Sequence, residues 1–465
     1  MDELGPERGQ HSDQPNHSPW VAQLEPDGPA RRLSCDLTTD VVVVGAGIAG
    51  VATSFFTLRA TDRNVVLVER DRVALGATGH NAGQLTTYFE RPLHDIASEF
   101  GAQRALQAQA ALDAAHDLLD LMAAEAGSTV RVERFVGHMG MFTLDHVRVH
   151  LLNNQLRRQG GLSTETVVVS EDAEFLADIP REFDGLYEVV PQSRVCELLD
   201  TEGDAYRAVL SDRKGCANSA ALTQQVLAHL EATYPDRFRY ADRTPVERVV
   251  VGGGRAVAHA LGRTISARHA VLCTNGFVDH VVEDLLGAEV QLAQDQRVSG
   301  LVGYMAAFAE EDRRPPAATS YIRNARVGVG DTPYVYVTRR AYDLASSTVT
   351  LTCMGGPEAE LDGRPYDPTL PVPGPVLDAM DDEILAFAQP ARHRGLPFDF
   401  QWHGLMGYSD GLVRVVGRHP EHAELLYNLG CNGVGFLPSV YGGDRIARLL
   451  AGQQLPASIF DPRVD

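Results

Sequence analysis

Basic residues are in short supply. Against 62 aspartates and glutamates the 465-residue chain sets 41 lysines and arginines, a formal net charge of -21. That balance excludes a nucleic-acid partner, because gripping a phosphate backbone needs a basic face. It suits solubility, and it attracts cationic amines mildly. Long apolar runs are missing too. None approaches the roughly 18 residues of a membrane span, so no membrane-spanning segment is expected. The N-terminus has neither the basic start nor the apolar stretch of a secretory signal. The six cysteines, Cys35, Cys196, Cys216, Cys273, Cys353 and Cys431, are scattered without a C-x-x-C pair. The simplest reading is reduced thiols in a cytoplasmic protein. No internal repeat is evident. What remains is ordinary for a soluble globular enzyme, with 44% hydrophobic and 22% charged residues. The length predicts about two domains and a tail.

The most informative stretch is DVVVVGAGIAG (40–50), followed by NVVLVE (64–69). A buried strand runs into Gly45-x-Gly47-x-x-Gly50 and then into a helical pattern. The first glycine allows the tight turn, the second lets a pyrophosphate approach the backbone, and the third lets helix and strand pack closely. Phosphate charge then sits at a helix N-terminus, where free N–H groups and the dipole favour an anion. Glu69, ending the next strand, is placed to accept hydrogen bonds from a ribose. Strand, glycines, helix, second strand and terminal acid together predict a bound dinucleotide.

Residues 1–18 are polar and rich in Pro and Gly, and 1–35 reads as a mostly disordered tail. Residues 71–91 form a glycine-spotted loop. Residues 101–126 predict a helix stopped by Gly127. A strand over 138–144 and a helix from His146 follow. Residues 217–275 read as a helix and three β-rich runs ending in AVLC. From 296 to 355 the alternation predicts an antiparallel sheet, hence a second domain. A Pro/Gly-rich loop (355–376), a helix (376–388) and a final strand–loop–helix complete the chain. The fold class is therefore α/β. A Rossmann-like nucleotide domain is assembled from 36–130, 190–290 and 396–465, and a smaller mixed or antiparallel-sheet substrate domain comes from 131–189 and 291–395.

Four separated blocks, VVVVGAGIAG, GATGHNAGQL (76–85), AVLCTNGF (270–277) and the terminal GLMGYSDGLVRVVG…LLYNLGCNGVGFLPSVYGGDRIARLLAG, occur in one order. Together they resemble the glycine oxidase/D-amino-acid oxidase superfamily of FAD-dependent oxidoreductases, over nearly the whole chain from Cys35. The resemblance implies FAD rather than NAD. It implies oxidation of a C–N bond of a small amine or amino acid, with hydride passing to flavin N5, hydrolysis of the imine in water, and re-oxidation by oxygen or another acceptor. It also implies cofactor contacts from Gly45, Gly47, Ile48, Gly50, Glu69 and Arg70; from His80, Asn81, Ala82, Gly83 and Gln84; from Val246, Thr274 and Gly276; and from Gly430, Cys431, Asn432, Gly433, Val434 and Gly435. The glycines of GCNGVG let backbone come close to the flavin pyrimidine edge, and the following helix dipole would stabilise negative charge on reduced flavin. An FAD enzyme acting on another small metabolite or biosynthetic intermediate, or a non-catalytic FAD-binding assembly protein, would share these blocks.

The chain departs from the pattern in its terminal strand, where Val413 stands in place of a proline of Asp-x-x-Pro. His80 falls where dimethylglycine and sarcosine dehydrogenases hold a flavin-linked histidine; a non-covalent cofactor is expected here. Tyr334 and Tyr336 share one face of TPYVYVTRR and Arg339 takes the other. A hydroxyl and a guanidinium near the flavin would suit a substrate carboxylate, and Arg339 and Arg414 are the rival anchors. Trp402 reads as core. GYSDG (407–411) matches G-x-S-x-G, but a strand-like LVRVV follows where a nucleophile elbow needs a helix. His146 and His150 have metal-pair spacing, yet lack the intervening glutamate and a third ligand; a solvated helix face is expected, and no metal. Cys431 reads as a small thiol filling a tight turn.

Overall fold

The computed structural model describes residues 15–26, 28–310, 314–322, 334–344, 347–361, 363–387 and 398–465. Two mixed sheets organise them. The first has nine strands. At its centre the strands Phe238–Ala241, Val65–Val68, Leu37–Val44, Arg263–Leu272 and Leu425–Leu429 run parallel in that order. Their apolar runs are covered on both faces, as parallel strands require. Val415–Arg418 adds an antiparallel edge, and Val246–Gly252 and Arg255–Ala260 form a meander with Arg263–Leu272.

Helix Ile48–Ala60 is buried along its length from Ile48 to Leu58, which explains why its sequence carries no charge before Arg59. Helix Phe436–Leu450 crosses it closely: a Cβ on Gly443 would stand 2.7 Å from the Ala52 carbonyl carbon. Asn428 fastens both helices to the sheet. Its Nδ2 donates to Ser439 O at 3.0 Å and lies 3.3 Å from Thr53 Oγ1.

The second sheet has ten strands, with Phe400–Ser409, Val298–Glu310, Ser347–Glu360, Tyr334–Leu344, Ala317–Ile322, Glu133–Met141, Ala208–Cys216, Thr166–Ser170 and Glu188–Val190 in order. Gln84–Leu85 pairs with Ala208–Cys216. The sheet is antiparallel except where Ala317–Ile322 meets Glu133–Met141 and Thr166–Ser170 meets Glu188–Val190.

Several sequence expectations change. Ala208–Cys216 and Phe400–Ser409, assigned from sequence to the nucleotide domain, belong to the second sheet. The polar centre SDRKG hides the strand character of the first. The helix expected over 101–126 is two, Ala102–Asp113 and Ala115–Glu125. The strand near 138 is Glu133–Met141, and Thr143, expected within it, instead caps helix Leu144–Gln159 by accepting from His146 N at 3.3 Å. His146 is buried edge-on against Phe142 and His150 lies 3.8 Å from Glu165, so this is no solvated face. The supposed tail is packed from Asn16 onward, because Trp20 is wholly buried in the main core; residues 1–14 lie outside the described residues. Among the described residues, no helix is long and apolar enough to cross a membrane.

Candidate active site

One large cavity runs between the two sheets. Its nucleotide end is built where strand Leu37–Val44 gives way to helix Ile48–Ala60. Gly45 has φ +101°, and a Cβ there would meet the Cys273 carbonyl oxygen at 2.8 Å. A Cβ on Gly50 would lie 1.8 Å from the Gly45 carbonyl oxygen, so only glycine lets the helix start against the turn. A Cβ on Gly47 would meet Thr78 Oγ1 at 2.9 Å, the atom that accepts the Ile48 N–H at 2.9 Å. Glu69 accepts from Ala46 N at 2.7 Å and from Asp71 N at 3.0 Å, one bond to each oxygen. Burial raises its pKa and these bonds oppose the rise. Each oxygen keeps a lone pair for a hydroxyl group. Arg70 stacks over Phe277 at 4.8 Å and pairs with Asp279 at 3.2 Å. Arg70 and Val246 line the wall, as does Thr274, whose buried hydroxyl has no hydrogen-bond partner among the described residues.

Beyond the cradle, His80, Asn81, Ala82 and Gln84 line the middle of the cavity. His80 Nδ1 lies 3.0 Å from Gly76 O. Burial pushes the pKa of this imidazole down to about 4, so it is neutral at pH 7. The N-terminal segment backs this block: Trp20 Nε1 donates to Asn81 O and Ser18 Oγ to Gly79 O. Arg340 stacks over the Trp20 ring at 4.4 Å.

The opposite wall is the loop between Leu425–Leu429 and Phe436–Leu450, with Gly430 at φ +80° and Gly433 at φ +75°. Cys431 N donates to Asn275 Oδ1 at 3.0 Å, and Asn432 N to Gly407 O at 2.9 Å. Cys431, Gly433, Val434 and Gly435 line the cavity. The helix start beyond them presents N–H groups without intrahelical acceptors and the positive end of its dipole. Gly83, Gly276, Gly430 and Asn432 shape the loops, and Gly50 the helix start, without lining the cavity. Gly83 and Gly276 do so by close approach: a Cβ would stand 2.8 Å from Arg340 Nη1 at the first and 2.5 Å from Met406 O at the second.

The far end is a chamber under the second sheet. Tyr334 and Tyr336 reach into it with Tyr88, Tyr304, Glu358 and Tyr408. Tyr334 OH donates to Glu90 Oε1 at 2.8 Å and Tyr408 OH to Glu358 Oε1 at 3.3 Å. Among the described residues, the hydrogen-bond partner of Tyr336 OH is the Met305 thioether, at 3.6 Å. Burial raises the pKa of Tyr88, Tyr334, Tyr336 and Tyr408, so their hydroxyls keep their protons. Glu358 lines the chamber with part of its side chain open to solvent; desolvation and then the Glu90 charge push its carboxyl up, against the Tyr408 hydrogen bond.

Neither predicted anchor sits free in this chamber. Arg339 turns to the other face of its strand and pairs with Asp200 at 2.8 Å, where Arg314 also binds at 2.8 Å. It does not line the cavity. Arg414 does, but its Nε and Nη2 donate to Asn428 Oδ1 at 3.0 and 2.8 Å, and Nη1 to Gly430 O at 3.3 Å. It holds the glycine loop rather than open space. Replacing Arg339 by Ala is therefore expected to leave substrate affinity unchanged and to cost roughly 1–3 kcal/mol of stability, the scale of a partly buried charge pair. Substrate titration and urea denaturation of the variant check this; a weakened substrate affinity would restore Arg339 as an anchor.

Sequence reading missed Tyr88, Glu90, Glu358 and Tyr408, none of which sits in a motif of its own chemistry. Tyr408 lay inside GYSDG, read for its serine. That Ser409 is buried and donates to Val413 O at 3.1 Å, with strand Val415–Arg418 beyond it; no helix follows to make a nucleophile elbow.

A glycine cradle for a dinucleotide, a glycine loop at a helix start and a chamber beneath a second sheet define a flavoprotein oxidoreductase. The family described as DAO, FAD dependent oxidoreductase, matches residues 40–449, and the chain belongs to that family. Its cofactor is FAD, and the cradle glycines, the two-bond Glu69 and the partnerless Thr274 hydroxyl fit it. Over 86 residues the chain is 32% identical to gamma-glutamylputrescine oxidoreductase of Escherichia coli (strain K12), a match covering 18% of this chain and only 20% of that relative's length. The fold is similar to glycine oxidase from Geobacillus kaustophilus, with a TM-score of 0.63 at 16% identity over 91% of this chain and 98% of that one. It is also similar to L-proline dehydrogenase from P. horikoshii, with a TM-score of 0.66 at 14% identity over 92% and 97%.

Proposed function

We propose that this enzyme oxidises a C–N bond of a small amine or amino acid, using FAD as the hydride acceptor. The observation that carries the reading is the unbroken cavity from the Gly45–Gly47 cradle, past the loop at 431–435, to the tyrosine chamber. In this arrangement the contacts of the pyrophosphate, ribose and flavin edge belong to the cradle glycines, Glu69 and the 430–435 loop. The chamber tyrosines would seat the substrate against the flavin and exclude water. The names of the relatives, a glycine oxidase, a proline dehydrogenase and a gamma-glutamylputrescine oxidoreductase, support a nitrogen-bearing substrate. Bound FAD supplies the two-electron acceptor. The substrate nitrogen must be neutral for hydride to leave its carbon, and the protonated tyrosines and neutral His80 leave bulk water or the chamber carboxylates to take the ammonium proton. A cytoplasmic setting belongs to the same reading, supported by six free cysteines.

The test is anaerobic bleaching of the flavin across amines, amino acids and hydroxy acids. Amines or amino acids should bleach it; bleaching by hydroxy acids alone would move the enzyme to C–O chemistry, and bleaching by none would favour an assembly role. The cofactor should also be freely released. Acid denaturation should leave the flavin in the supernatant, from wild type and from His80→Ala alike. Flavin fluorescence on the denatured polypeptide, lost in His80→Ala, would show a covalent link instead.

A further inference from the structure

We propose that the substrate carries a second, cationic group received by Glu358 among the chamber tyrosines, with the charge of Glu90 close behind, which makes it a diamine or polyamine rather than an amino acid. This rests on the amine reading above and names the substrate class of that same site.

Glu358 lines the chamber and is reached by Tyr408 OH; Glu90 does not itself line the cavity but is held by the OH of Tyr334, which does. The two acids converge beside the glycine loop. A Cβ built on Gly433 would stand 2.9 Å from Glu90 Oε1 and 3.0 Å from Tyr408 OH, the hydroxyl that binds Glu358. Neither carboxylate has an ion-pair partner among the described residues. Lys214, whose charge acts on Glu90, is buried and lies 3.9 Å from Asp212. Two acids this close disfavour each other's charge, and both carboxyl pKa values are raised, mainly by desolvation. A bound cation relieves that repulsion, and tyrosine ring faces attract an ammonium as well.

An amino acid would meet the reverse. Its carboxylate would enter beside Glu358 with Glu90 close behind, while among the described residues the arginines on the cavity wall are elsewhere: Arg70 pairs with Asp279 at the nucleotide end, and Arg414 is spent on Asn428 and Gly430. A carboxylate desolvated without a cation is strongly disfavoured. In a diamine the two nitrogens divide the work. The one to be oxidised loses its proton, and the remote one keeps its charge for Glu358, with Glu90 close behind. The overall charge of -21 adds a weak long-range attraction for such a molecule.

The test uses the FAD-loaded full chain and three ligands with the same four-carbon skeleton: butylamine, diaminobutane and γ-aminobutyrate. They end in a methyl, an ammonium and a carboxylate. Concentration dependence of anaerobic flavin bleaching should rank diaminobutane tightest, by roughly tenfold or more over butylamine, with γ-aminobutyrate weakest. A bis-quaternary ammonium of the same length, which cannot be oxidised, should bind in calorimetry and lose roughly tenfold or more in Glu358→Gln at unchanged FAD content. If that variant fails to fold, the ligand ranking on the wild-type protein still decides. γ-Aminobutyrate or an α-amino acid bleaching the flavin at concentrations as low as diaminobutane would overturn the inference and leave the amine reading standing. Bleaching by no nitrogen compound would overturn that reading and the inference with it.

Discussion

Gly47→Val yields a colourless protein. The glycine sits at the mouth of helix Ile48–Ala60, and even one added carbon would stand 2.9 Å from Thr78 Oγ1. Thr78 cannot simply swing away, because that oxygen accepts the Ile48 N–H that opens the helix. The two methyls of valine must then occupy the space where the pyrophosphate meets the backbone. The first effect distorts the cradle and the second falls on the bound state, and together they should weaken FAD binding by about a thousandfold or more, ~4 kcal/mol. Visible absorbance of the purified variant and FAD released on heating measure this. Gly28→Ala serves as control, since a Cβ there meets nothing within 4 Å, and it should stay yellow. A yellow Gly47→Val protein with stoichiometric FAD would contradict the assignment of the cradle.

The largest loss of stability should come from Trp20→Ala. This ring is wholly buried, its N–H is bonded to Asn81 O, and it stands edge-on to Trp402 at 6.3 Å. Removing it opens a large cavity and leaves the Arg340 guanidinium without the ring it stacks on at 4.4 Å. Truncation of a buried aromatic costs about 3–5 kcal/mol. Because the ring backs the 76–85 block, FAD should also leave faster. Urea denaturation and the rate of FAD release into excess apo-acceptor read the two effects. A loss below about 1 kcal/mol would show that the N-terminal segment is only laid on the surface.

That segment also shows where sequence reading stops. Trp20 lies among prolines and polar residues, and one aromatic gives no periodicity, so the stretch resembles a tail. The nucleotide cradle was legible because neighbours in sequence build it: strand 41–44, three glycines, helix, and Glu69. The loop at 430–435 was legible for the same reason. Period-two alternation placed Arg339 opposite Tyr334 and Tyr336, and the structure keeps it there with Asp200. The acids of the chamber were not legible. Glu358 reaches Tyr408 only through sheet register, with Gly303 paired to Glu358 on one side and to Gly404 on the other, and Glu90 comes from the loop before helix Leu93–Phe100. No local pattern encodes such a meeting. Ala208–Cys216 was hidden by its charged centre, although its pairing with Glu133–Met141 holds the middle of the second sheet together.

The central claim is that this FAD enzyme breaks a C–N bond, and product stoichiometry under anaerobic conditions tests it most directly. The holoenzyme is mixed with a bleaching open-chain amine in the absence of any acceptor, and carbonyl product and released nitrogen are quantified against flavin reduced. The account predicts one carbonyl and one ammonia, or one smaller amine, for each flavin bleached. Bleaching without released nitrogen, or with a hydroxyl group as the site of oxidation, would contradict it.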